Sequence, residues 1–202
     1  MSAMLFPVGH YVGIDADTEA QRHLVRVGWH VLRLDDEHFA GWTLAHGAPG
    51  DDPAPWTRAG VDAVARAAGI RAPEVILDDL LAEDLVIDVT PGPADAIGFA
   101  RTCRLRSLLI GLGADPDRPG DFGIGLVAGV PVVRVDALGY ELWQWGHLCD
   151  NLWHACAVLA EASDELPDVE AALTRSLPVL QVLIAHGAIH LDEAREDWAA
   201  TA

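Results

Sequence analysis

Two histidines and two of the chain's three cysteines stand close together, in His147-Leu-Cys149-Asp-Asn-Leu-Trp-His154-Ala-Cys156. Imidazole and thiolate are zinc ligands, and His147, Cys149, His154 and Cys156 would supply the four that a closed tetrahedral site takes. The spacing argues against it. Cys149 and Cys156 form no Cys-x-x-Cys knuckle, and a turn is expected between them. As packing, the same stretch is the junction of two helices, with Trp143 and Trp153 in the core, His147 at a helix end and the cysteines as small hydrophobes. Packing is the preferred reading, and the sequence assigns no metal and no cofactor.

Other chemistry is excluded by residue type. All 13 basic residues are Arg. Without lysine there is no Walker-A phosphate loop, no Schiff-base enzyme and no Ser-Lys nucleophile. Only four serines occur, none in a Gly-x-Ser-x-Gly elbow. Gly111-Leu112-Gly113 starts like a dinucleotide loop, but it is expected to follow a helix, and the third glycine is absent. Asp15, Asp17 and Glu19 alternate as at the start of a calcium loop. Ala20 and Arg26 stand where that loop needs Gly and Glu, so a polar turn is expected. No residue is assigned as general acid or base, and the chain reads as a non-enzyme.

A net charge of −18 would repel nucleic-acid phosphates and anionic membrane surfaces. The densest basic group, Arg101, Arg104 and Arg106, is expected on one solvated helix face. Half of the 202 residues are hydrophobic, enough to bury real cores. No apolar run is long enough to span a bilayer, the first residues carry no signal-peptide pattern, and an odd number of cysteines fits a reducing compartment. Together these point to a cytoplasmic protein. A lysine-free chain rich in Ala, Arg and Asp fits a GC-rich bacterial genome.

The elements around the His/Cys stretch occur twice. HVLRLDDEHFAGWTLAHG, from His30, matches PVVRVDALGYELWQWGHL, from Pro131. At one constant shift Arg33 meets Arg134, Asp35 meets Asp136, Trp42 meets Trp143 and His46 meets His147. The shared histidine has no cysteine near it in the first copy, so a role common to both copies does not need thiols. Further on, PEVILDDLLAEDLVIDV parallels SLPVLQVLIAHGAIHLD, with Ile76, Leu77, Leu80 and Leu81 facing Val179, Leu180, Leu183 and Ile184. That is a helical stripe running into a strand. Asp35 and Asp136 are placed to cap the first helix of each copy. Gly187 closes the third helix of the second copy, where the first has Asp84. Apolar runs around Gly28 and Gly129 predict hairpins.

The resulting expectation is an α+β, helix-rich tandem winged-helix chain, with two copies of a β-hairpin, three helices and a short strand. The first copy spans 1–92, and the second 93–202 with a helix over ADAIGFARTCRLRSLLIGLG ahead of its hairpin. Pro178 is expected within the first turn of its third helix.

The second copy, from Val132 to Asp192, resembles the PqqD-like domains, also called RiPP recognition elements, and the first looks like a divergent version. The resemblance implies peptide or protein binding without catalysis, with the partner added as a strand to the hairpin edge and gripped by the third helix. The contact residues it suggests are Val31, Arg33 and Ile76 in the first copy, and Val133, Arg134, Leu180 and Leu183 in the second. Unpaired hairpin edges and exposed Trp also invite a homodimer. Two alternatives remain. One is a winged-helix regulator that binds DNA, although the first copy's third helix carries Glu74, Asp78, Asp79 and Glu83. The other is a small-molecule pocket lined by Trp42, Trp143, Trp145 and Trp153.

Overall fold

A computed structural model describes residues 2–15, 21–49, 56–90 and 92–195. It is an α+β structure in which one order of elements occurs twice. The first run is β1 (Met4–Pro7), β2 (His10–Asp15), β3 (Arg22–Val27), β4 (His30–Leu34), α1 (Asp36–Leu44), α2 (Arg58–Ala67), α3 (Pro73–Ala82) and β5 (Val86–Val89). After α4 (Pro93–Thr102) come β6 (Cys103–Ser107), β7 (Ile110–Ala114), β8 (Phe122–Val127), β9 (Val130–Val135), α5 (Ala137–Trp145), α6 (Leu152–Ala162), α7 (Val169–Ala185) and β10 (Ile189–Glu193).

Pairing repeats as well. β1 pairs with β5 and β6 with β10, both antiparallel, while β2-β3-β4 and β7-β8-β9 form three-stranded meanders. Both meanders are irregular at the same place in the first pairing, between Tyr11 and Gly13 in one and between Gly111 and Gly113 in the other, and the second adds irregularities around Gly125 in β8–β9. Two-residue turns at Gly28-Trp29 and Ala128-Gly129 close the hairpins, with both glycines at positive φ.

Local sequence explains the helix ends. Asp35 accepts from His38 N (2.9 Å) and Asp136 from Gly139 N (2.8 Å), each filling one of the donors a helix start leaves open. Asn151 and Asp168 cap α6 and α7 in the same way. Both third helices stop by a left-handed residue and a bond reaching five residues back: Leu85 N to Leu80 O after Asp84, and Ala188 N to Leu183 O after Gly187.

Several expectations are corrected. The meanders have three strands where hairpins were expected, because His10–Asp15 and the glycine-rich Ile110–Ala114 are strands. Gly111 and Gly113 therefore sit inside β7 rather than ending a helix. The helix after the first copy stops at Thr102. From there Cys103 and Leu105 point inward and alternate with Arg104 and Arg106, the period of a strand, and they pair with β10. Arg101, Arg104 and Arg106 thus share no helix face. The last long helix begins at Val169, so Pro178 lies in its interior and withholds the N–H that would meet the Thr174 carbonyl. Of the expected polar turn, Asp15 ends β2; Asp17 and Glu19 lie outside the described residues.

Two cores result. The first gathers Leu5, Val25, Leu34, Trp42, Val61, Ile76, Leu77 and Leu80. The second is built mainly of β6, α4 and α5 to α7, but it also takes Met4, Phe6, Val8 and Val89 from ahead of position 92. The alternation of β1 sends Leu5 one way and Met4, Phe6 and Val8 the other. The β1–β5 ribbon is a shared wall, with Phe6 against Phe99 of α4 at 4.7 Å between ring centroids.

Polar groups join the copies. The Gln181 side chain accepts from Trp56 N (2.9 Å) and donates to Leu5 O (2.9 Å) and Trp56 O (2.8 Å). Asp192, fully buried, accepts from Gly28 N (2.7 Å) and from Arg104 (3.1 Å). Burial pushes its pKa up, but the Gly28 hydrogen bond and Arg104 outweigh it and hold the carboxyl below its ordinary value.

Candidate peptide-binding groove

β9 is the edge of its sheet. β8 pairs with one side of it, and no strand pairs with the other among the described residues. Along it, Val133 and Val135 turn into the core, while Val132 and Arg134 are exposed. α7 passes beside this edge, and between them lies a groove of about 320 Å³. Val179 and Val182 form its helical wall, with His186 one turn beyond. Arg118, Arg134, Asp121 and Asp136 stand around it. On a chain of net charge −18, a concavity whose acidic groups are matched by basic ones is distinctive.

Arg134 is positioned by an ion pair with Asp115, which holds that carboxyl below its ordinary value. Arg33 repeats the arrangement with Asp15 at 2.8 Å. In each copy the arginine of the edge strand is tied to the aspartate at the end of the meander's first strand.

The same corner of the first copy is built differently. Asp79 of α3 and Glu83 just after it stand where the second copy has Val182 of α7 and His186 just after it. His38 stands where α5 has Gly139, with Nδ1 2.8 Å from Asp35 Oδ1 and Nε2 3.3 Å from Asp79 Oδ2. The hydrogen bond to Asp35 raises the His38 pKa, partly offset by burial and helped by Asp79. Gly139 leaves no room for such a side chain: a Cβ there would lie 2.7 Å from Val179 Cγ1 and 2.9 Å from Val135 Cβ.

Of the residues expected to contact a partner, Val31, Arg33 and Arg134 are exposed on edge strands. Ile76, Leu180 and Leu183 are buried in the two cores; Val133 is largely buried too, yet it also lines the groove. The apolar stripe at helical spacing is the face that packs inward, and the groove uses the neighbouring stripe, Val179, Val182 and His186. Their i, i+3, i+7 spacing is visible in the sequence once the buried stripe is assigned to the core.

The four tryptophans share no pocket. Trp42 is in the first core, its Nε1 donating to Val8 O at 3.0 Å. Trp143 is in the second core. Trp153 is half-buried under the Arg101 guanidinium, 5.4 Å from its ring. Trp145 lines a broad concavity of about 990 Å³ with Leu138, Val158 and Leu159. A separate cavity of about 570 Å³ does lie between the copies, but Val8, Val27, Leu32, Ile87 and Cys103 line it with Glu83, Asp84 and Glu193, and no tryptophan takes part.

The His/Cys stretch is likewise dispersed. His147 Nδ1 is 3.5 Å from Ser107 Oγ, and His154 is exposed on α6. Cys149 and Cys156 are buried, Cys156 Sγ 4.0 Å from Ser176 Oγ. Burial raises both thiols, that of Cys156 to about 11, which keeps it protonated and poor as a ligand. Among the described residues no three His, Cys, Asp or Glu side chains are grouped as a metal site, and no helix is long and apolar enough to cross a membrane. Compared with family models, curated proteins and solved structures, the chain matches none.

Proposed function

We propose that the chain is a non-enzymatic recognition protein, a tandem of winged-helix units of the PqqD-like kind, whose second copy binds an extended peptide. The peptide adds as a strand to the free edge of β9, so that main-chain hydrogen bonds supply affinity. One of its side chains seats against Val179 and Val182, which selects an aliphatic residue. A carboxylate nearby is met by Arg118 and His186. The observation that carries this reading is the groove between an unpaired strand edge and the helix beside it, where Val179 and Val182 form an aliphatic wall and Arg118, Arg134 and His186 match Asp121 and Asp136 on a strongly acidic chain.

The first copy is a scaffold in this reading. The acidic Asp79 and Glu83 and the His38 clasp stand where the second copy has its aliphatic wall.

The test is a panning of displayed linear peptides on the folded protein, followed by calorimetry of the enriched sequences. Sequences with an aliphatic residue near an acidic one are expected, and Val182→Asp should weaken their binding at least tenfold. Enrichment of nothing, or salt-sensitive affinity for duplex DNA with no peptide affinity, would replace this reading with that of a transcriptional regulator.

A further inference from the structure

The two copies contact each other through a surface that is used once and present twice. In the first copy, the β1–β2 junction and the β3–β4 turn rest on β10. Gly9 N donates to Leu191 O (2.8 Å), Val8 bridges Leu191, and Gly28 N donates to Asp192 Oδ1 (2.7 Å). Arg26 reaches Asp192 at 3.6 Å, and the His10 and His190 rings pack with centroids 4.7 Å apart and a 33° tilt between them. The fit is close: Gly28 is at positive φ, and a Cβ there would meet Glu193 Oε2 at 2.2 Å.

In the second copy no described residue covers this surface, and it has turned aliphatic. Leu108 stands where Val8 does and is 43% exposed, against 3% for Val8. Ile110 takes the place of His10. Val127 flanks the β8–β9 turn as Val27 flanks the β3–β4 turn. Ile110, Leu126, Val127 and Val130 are each more than half exposed. No charged side chain belongs to this group, and an uncharged aliphatic cluster of this size on a soluble surface marks an interface.

The structure also restricts what can cover it. The strand that receives the first hairpin, β10, is occupied by it. Its equivalent in the first copy, β5, is covered by α4, with Val89 fully buried in the second core. A second chain therefore has no free strand on which to repeat the contact head to tail. With that head-to-tail contact closed to a second copy, the patch meeting its own counterpart across a two-fold axis is the arrangement that closes the assembly at a dimer. The absence of charge in the patch lets two chains of net charge −18 approach there without opposing carboxylates. We propose that Leu108, Ile110, Leu126, Val127 and Val130 form an isologous dimer interface. This inference does not depend on peptide binding at the β9–α7 groove.

Sedimentation velocity at tens of micromolar tests it. The protein should run at twice the chain mass, and Leu126→Glu/Val127→Glu should run as a monomer with an unchanged far-ultraviolet spectrum. Val12→Glu, on an exposed edge of the first copy, should leave the dimer intact. A second test does not depend on an acidic variant folding: Leu126→Ala/Val127→Ala, which trims the aliphatic surface without adding charge, should shift the protein toward monomer at the same concentration. A wild-type monomer at these concentrations, or a dimer that survives both double variants undiminished, would overturn the proposal. The peptide-binding reading is checked separately, since Leu126→Glu/Val127→Glu should still bind peptide and Val182→Asp should still dimerise.

Discussion

His38 Nε2 lies 3.3 Å from Asp79 Oδ2 and ties the start of α1 to α3, at a place where the second copy has Gly139 and Val182. One duplicated frame thus carries a polar clasp in one half and an open aliphatic wall in the other. Because Nδ1 also bonds Asp35, the clasp is strongest with the imidazole charged.

The His38 pKa is raised in the folded state. Its contribution is therefore full below the unfolded pKa of about 6.5 and is lost as pH rises through the higher folded value. His38→Ala should destabilise the protein by about 1 kcal/mol at pH 6 and by clearly less at pH 8, a half-exposed pair being partly screened. Urea unfolding of both proteins at the two pH values checks this, and equal losses would contradict it.

His190 behaves oppositely. Burial, with His10 beside it, lowers its pKa to about 4. Between roughly pH 6.5 and 4 the unfolded chain binds the proton and the folded chain does not, so stability falls as the pH is lowered through that window. The gap corresponds to at most about 3 kcal/mol. Neither ring nitrogen has a hydrogen-bond partner among the described residues, so removing them strands none of those polar groups. His190→Leu should therefore flatten the acid limb of the stability curve relative to wild type, and parallel limbs would refute the assignment.

Much of this architecture is legible in the sequence, and the misreadings have physical causes. The paired Arg33/Asp35 and Arg134/Asp136 mark the duplication, and the two aspartates cap the helices expected of them. Gly28 and Gly129 sit in the turns their flanking aliphatics indicate. β6 was obscured because the two arginines of Cys103–Ser107 suit a helix face as well as a strand. β7 was obscured by glycines that read as a helix stop. Pro178 disguised a helix that packing on α6 sustains through an exposed proline. At the groove, the strongest apolar stripe belongs to the core, and the exposed side of the element becomes visible only when its buried side is known.

Gln181 is a second joint between the copies. Replacing it with Leu would remove partners from Trp56 N and Leu5 O at a buried seam. A stability loss of about 2 to 4 kcal/mol is expected. A change below about 1 kcal/mol in urea unfolding would show that water replaces the amide.

Asp84 adopts a left-handed conformation, φ 54°, where the second copy has Gly187 at φ 63°. Asp84→Gly should raise stability by about 1 kcal/mol by relieving the side chain's steric conflict with its own backbone. A lower melting temperature would mean that Asp84 makes a contact worth more than that conflict.

The central claim is that a peptide extends the second sheet at β9. Amide hydrogen exchange with and without a selected peptide tests it most directly. Strand addition predicts slowed exchange at amides of Val132 to Val135, with Val31 to Leu34 on the first copy's edge strand unchanged. Protection on the first copy's edge instead, or none on β9 at saturating peptide, would contradict it.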